Sequence, residues 1–168
     1  DRFSSFIEKV KEGKAKINAS AIFPHQIYQS SKNCQMGSTE MNAINEQWNS
    51  LPNYLEGSEH SILPVCDSSA SMRGIPYDIS ISLGIYFSER NNGAFKDAFI
   101  TFSSEPKLQY LKGSLSEKIT QIESIHENTD LQKTFEVILD TAKRNKVPAK
   151  DMPTLLLIIS DMEFDCGT

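Results

Sequence analysis

Two kinds of hydrophobic spacing divide the chain near residue 60. Upstream, Phe3, Phe6, Ile7 and Val10 recur at helical intervals in a segment stopped by Gly13, and Met41, Ile44, Trp48 and Leu51 repeat the pattern behind a cap at Ser38 or Thr39. This spacing predicts two amphipathic helices. Between them Pro24, the serine-rich stretch Ser30 to Asn33 and Gly37 read as loops, and after them Pro52, Gly57 and Ser58 mark a boundary. Downstream the punctuation becomes strand, helix, strand. The run "ILPVC" ends at Asp67, Pro76 opens a helix carrying Ile79, Ile81, Leu83, Ile85 and Phe87 as far as about Arg90, and "AFITF", Ala98 to Phe102, is the next strand. "KLQYL", Lys107 to Leu111, alternates polar and apolar and follows so closely that it hairpins back as an antiparallel edge strand. A weaker helix spans Ser114 to Ile125. Leu131, Phe135, Ile138, Leu139 and Ala142 define a stronger one that ends on the basic residues Lys143, Arg144 and Lys146. The continuous apolar run "TLLLIIS", Thr154 to Ser160, suits a central parallel strand buried on both faces. The alternation predicts an α/β fold, a doubly wound, Rossmann-like, mostly parallel sheet in strand order 3-2-1-4, with residues 1–60 as a helical linker or clasp and 61–168 as the sheet domain.

Composition narrows the function classes. The chain has 168 residues, 39% of them hydrophobic, with 17 Lys and Arg against 22 Asp and Glu, a net charge of -5 and a pI near 5.2. That is enough chain for a real core, and the acidic balance gives no overall positive field to hold nucleic acid. No apolar run approaches the roughly 20 residues of a membrane helix, so no membrane partner is expected. The chain begins DRFSS, without Met or a signal-peptide pattern, which reads as processing or as a piece of a longer protein. Cys34, Cys66 and Cys166 are odd in number and form no CxxC pair, pointing to a reducing, cytoplasmic compartment. His25, His60 and His126 lack metal-ligand spacing, and no phosphate-binding glycine loop occurs.

The candidate chemistry sits at two strand ends. "ILPVC" terminates in Asp67 and "LLLIIS" in Asp161, and a doubly wound sheet brings both carboxylates to its C-terminal edge, where such sheets bind ligands. Ser69 and Ser71 follow Asp67 in a tight loop, so three oxygens can be aimed at one point. Hard oxygen donors suit a hard cation, Mg²⁺ or Mn²⁺, supplemented by water. The competing reading makes Asp67 and its serines a turn or helix cap, and Thr129, in "TDLQ", the start of a capping box.

D-x-S-x-S, a distant Thr and a distant Asp together resemble the metal-ion-dependent adhesion site of von Willebrand factor A domains, matched by Asp67, Ser69, Ser71, Thr129 and Asp161. The segments "PVCDSSASM", "ITFSSEP", "NTDLQ" and "DMPTLLLIISDMEFD", with "VKEGKAKINASAIFPHQI" upstream, are similar to a domain-of-unknown-function family distantly related to the C-terminal half of the Ro RNA-binding protein. The resemblance implies a von Willebrand factor A-like domain with those five residues as metal ligands, preceded by a tether or clasp. It also implies two departures. Such domains continue for two more strands beyond the Asp161 position, so this one reads as truncated with an apolar edge, and Met162 replaces a small turn residue, with Glu163 and Asp165 as a second shell or as solvation of the loop.

Three functions follow as expectations. The leading one is a metal-dependent binding module, not an enzyme, whose cation is completed by a carboxylate from a partner protein. The resemblance to Ro implies a second, part of an RNA-binding protein in which the upstream region holds the RNA. A metal-dependent hydrolase ranks last, because Ser69 stands where a second carboxylate would be needed and no His is placed as general acid or base.

Overall fold

The computed structural model describes residues 2–19, 21–102, 105–122 and 130–162. Among these residues four strands, β1 (Ile62–Cys66), β2 (Ala98–Thr101), β3 (Leu108–Tyr110) and β4 (Leu155–Ile159), form one open sheet in the order β3-β2-β1-β4. β1 runs parallel to β2 and β4, with Val65 opposite both Ile100 and Ile158, while β3 is antiparallel to β2. The order and directions are those the sequence predicts. A short connection can close only an antiparallel pair, whereas each parallel neighbour needs a helical crossover.

Among the described residues six α-helices accompany the sheet: α1 (Arg2–Lys11), α2 (Pro24–Lys32), α3 (Thr39–Asn49), α4 (Ile75–Arg90), α5 (Leu115–Gln121) and α6 (Leu131–Arg144). On one face Ile27, Trp48, Ile81, Ile85 and Leu115 pack with Cys66 and Phe99; on the other Ile138 packs with Leu63, Val65, Ile100 and Phe102. The alternation along β1 therefore has apolar cover on both sides. The first of these clusters draws on residues from both sides of position 60, so the upstream helices share the core of the sheet domain. No helix among the described residues is long and apolar enough to cross a membrane.

Two sequence expectations are corrected. Helix α2 lies where a loop was predicted. Pro24 occupies its first turn, where a missing N–H breaks no helical bond, and Phe23 N donates to Gln26 Oε1 at 3.0 Å. The serines that suggested a loop bond back to helix carbonyls, Ser30 Oγ to Gln26 O at 2.9 Å and Ser31 Oγ to Tyr28 O at 2.6 Å. The apolar stripe is only Ile27 and Tyr28, too short to register as a period, and it is their burial that holds the helix.

The second correction concerns the burial of β4: its place at the end of the sheet is the one expected, but the run expected to be buried on both faces leaves Leu155 48% and Ile158 36% exposed. The faces of a parallel strand are covered by packed helices and its edges by neighbouring strands, and among the described residues β4 pairs with β1 alone. An uncovered apolar edge strand is a template for pairing. The 168-residue chain is expected to self-associate with rising concentration in sedimentation velocity, and Ile158→Lys to suppress that association. A wild-type chain that stays monodisperse throughout would contradict the expectation.

Candidate metal centre

The last rungs of the sheet place the two halves of the site side by side. Cys66 O accepts from Phe102 N at 3.0 Å, and one residue on Asp67 N donates to Ile159 O at 2.8 Å, so the chain leaving β1 remains in register with the end of β4. The Asp67 side chain is fully buried. Its Oδ1 accepts from Ser69 N at 2.9 Å, closing an Asx turn, and its Oδ2 accepts from Ser160 Oγ at 2.6 Å. The turn swings Ser69 and Ser71 toward each other, their hydroxyl oxygens 2.9 Å apart. Met72 is buried behind the loop, and Gly74, at φ 90, turns the chain into α4, a conformation that a residue with a Cβ rarely adopts.

On the β4 side Ser160 Oγ also accepts from Met162 N at 2.9 Å, so one hydroxyl ties this strand end to Asp67. Met162 adopts φ 71, in the left-handed region that favours glycine. Asp161, between them, is exposed at the same edge.

The electrostatics are unusual in one respect. Asp67 is enclosed, yet among the described residues no lysine or arginine forms a salt bridge with it. Burying a carboxylate without a counter-charge is costly, and two hydrogen bonds offset only part of that cost. The neighbouring Ser68 Oγ is buried with no hydrogen-bond partner among the described residues. Cys66 is not a ligand candidate: burial, assisted by the Asp67 charge and opposed by a hydrogen bond with Ser80, pushes its thiol up to about 12.

Of the predicted site residues, Asp67, Ser69 and Ser71 thus form one hydrogen-bonded loop, and Asp161 lies next to the serine that touches Asp67. Thr129, Glu163 and Asp165 lie outside the described residues. The capping box read from "TDLQ" is replaced by Asp130, whose Oδ1 accepts from Lys133 N at 3.0 Å as the cap of α6. Ser160 is the site residue that sequence reasoning missed. Its signal was present in the Ser-Asp pair closing the β4 run, but only the pairing of β1 with β4 shows that it reaches Asp67.

The donor set can be tested against a cation. No group of three or more His, Cys, Asp or Glu among the described residues is placed to hold a metal, so a cation here would depend on hydroxyls beside two carboxylates. A carboxylate offers about four lone-pair positions, and among the described residues Asp67 uses one on each oxygen, leaving one on each for a further partner. The Ser69 and Ser71 oxygens share a single hydrogen and also retain acceptor capacity. These residues fit a hard divalent cation and not a soft one.

Comparison with known proteins finds two family matches. Residues 1–59 match the family described as a domain of unknown function, DUF2828, and residues 61–168 match another so described, DUF7788. The chain is 28% identical over 176 residues to "Uncharacterized protein L728" of Acanthamoeba polyphaga mimivirus, covering 98% of this chain and 30% of that protein. It therefore spans about a third of the length of this relative. No solved structure matches the chain. With most of its length, including β1, β4 and the loop between Asp67 and Gly74, inside the longer match, the chain belongs to the DUF7788 family.

Proposed function

We propose that the chain is a divalent-cation-dependent protein-binding module of the von Willebrand factor A type, with Asp67, Ser69, Ser71, Asp161 and Thr129 as the residues that would hold Mg²⁺ or Mn²⁺. The observation that carries this reading is the fully buried Asp67 carboxylate, which no basic side chain among the described residues neutralises while two serine hydroxyls gather beside it. When bound, the cation would supply the missing positive charge and an open position for an acidic side chain from a partner protein. Asp67 would be the buried ligand, Ser69 and Ser71 neutral donors and Asp161 the exposed carboxylate. With only two carboxylates in the set, affinity is expected to be modest. Nothing in this reading requires a catalytic base, so the module binds and does not turn over a substrate.

Titration with Mn²⁺ and thermal melting test the reading together. Wild-type protein should bind Mn²⁺ and melt higher in its presence, because a ligand that favours the folded state stabilises it by mass action. Asp67→Asn should lose the binding and the metal-dependent shift, yet melt no lower than wild type without metal, since it removes an uncompensated buried charge. Ser71→Ala should bind at least tenfold more weakly with little change in stability. Equal Mn²⁺ binding by wild type and Asp67→Asn would leave the loop as an Asx turn only.

A further inference from the structure

We propose that helix α2, in the segment upstream of the sheet, aligns the candidate cation site through Asp78, so that cation binding and docking of α2 are coupled. This rests on reading Asp67, Ser69, Ser71 and Asp161 as a cation site.

Asp78 lies in the first turn of α4 and is 5% exposed. Among the described residues both of its side-chain partners come from α2: Gln29 Nε2 donates to Oδ2 at 2.9 Å, and Lys32 Nζ pairs with Oδ1. The lysine is further held against two rings, 4.9 Å from the centre of Tyr28 and 5.7 Å from that of Tyr77. A buried carboxylate stripped of its cation is strongly unfavourable, so α2 cannot leave without the first turn of α4 rearranging.

That turn touches both halves of the site. Asp78 N donates to Gly74 O at 3.1 Å, closing the loop that carries Asp67, Ser69 and Ser71. Two residues on, Ser80 O accepts from Cys66 Sγ at 3.3 Å and Ser80 Oγ donates to Ile159 O at 3.3 Å. Cys66 and Ile159 immediately precede Asp67 and Ser160. The start of α4 thus bridges the strand ends bearing the two carboxylates, and Asp78 is a positioning residue set by the upstream segment. Mg²⁺ demands near-ideal octahedral placement of its oxygens, so small shifts between the halves lower affinity. Coupling of this kind is reciprocal: the cation must in turn tighten the docking of α2.

The test uses the 168-residue chain and Mn²⁺ alone. In titration calorimetry Lys32→Ala should bind Mn²⁺ at least fivefold more weakly, Lys32→Arg should return to within twofold of wild type, and Lys14→Ala, which breaks an exposed pair with Glu12, should be unchanged. Removing a positive charge would by itself favour a cation, so a loss of affinity reports alignment and not charge. In hydrogen exchange, Mn²⁺ should slow the amides of residues 27–32 in wild type and have no effect on them in Asp67→Asn. This second arm needs no α2 variant to fold. Wild-type binding with Lys32→Ala unaffected, or with exchange in α2 unmoved by Mn²⁺, overturns the coupling and leaves the cation site standing. Absence of Mn²⁺ binding beyond that of Asp67→Asn overturns both.

Discussion

Glu89→Ala is expected to lower the melting temperature by roughly 10 °C, the largest single effect on stability outside the apolar core. The Glu89 carboxylate accepts from Trp48 Nε1 at 2.7 Å, from Lys118 Nζ at 2.8 Å and from Arg90 Nη1 at 3.2 Å. The Glu89 and Lys118 side chains are only 17% and 7% exposed, so solvent does little to screen the pair. Without Glu89, Lys118 retains Asp97 at 3.5 Å, and the buried indole N–H loses its acceptor. Removing one member of a buried pair costs about 3–5 kcal/mol, against about 0–1 kcal/mol for an exposed one. Because much of that cost is a buried lysine left with only the longer Asp97 contact, the double variant Glu89→Met with Lys118→Met should melt higher than Glu89→Ala. A single variant that melts within 2 °C of wild type would show the network to be solvated. The network has a structural consequence, since it joins α3, α4 and α5 and so ties the upstream segment to the sheet domain. Arg90 adds to the same junction, donating to Trp48 O at 3.3 Å while stacking 4.0 Å from the Tyr86 ring centre.

Gly84→Ala is expected to destabilise, although alanine is the better helix former. A Cβ at position 84 would lie 2.3 Å from Cys66 Sγ and 2.5 Å from Phe99 Cε2. Both neighbours are fully buried in β1 and β2, so neither can swing into solvent. The gain in helix propensity is about 1 kcal/mol, whereas overpacking a full core costs about 1–3 kcal/mol, more where both neighbours are pinned. The net expectation is a loss of about 2 kcal/mol. Adding Cys66→Ala should recover part of it by removing the closer contact while leaving Phe99 in place. A melting temperature equal to or above wild type would mean that α4 lifts from the sheet at little cost. Since α4 also anchors the loop after Asp67, such a lift should be felt at the candidate site.

Much of the architecture was legible because it is written in neighbouring residues. The period of two in "KLQYL", the helical spacing of Met41, Ile44 and Trp48, the cap at Ser38 and the acids closing two apolar runs each depend on positions within a dozen residues of one another. From these followed the four strands, the order of the sheet and the candidacy of Asp67, Ser69, Ser71 and Asp161. Local rules failed where two readings shared the same residues. Ser30 and Ser31 suit a loop or the back-bonding end of a helix, and "TDLQ" offers both Thr129 and Asp130 as caps; the cap of α6 is Asp130, whose extended backbone lets its carboxylate accept from Lys133 N.

The sequence by itself determined the strands, the helices other than α2, and the chemical character of the loop after β1. Tertiary structure alone decided what each buried polar group meets. Ser160 reaches Asp67 across 93 residues, Lys32 reaches Asp78 across 46 and Trp48 reaches Glu89 across 41. It also decided that Leu155 and Ile158 of β4 stay exposed, although the run reads as one buried on both faces. The physical reason is common to all of these. Backbone propensity and hydrophobic period act over one or two turns of chain, whereas the cost of burying a charge, a hydroxyl or an apolar face depends on which distant surface covers it.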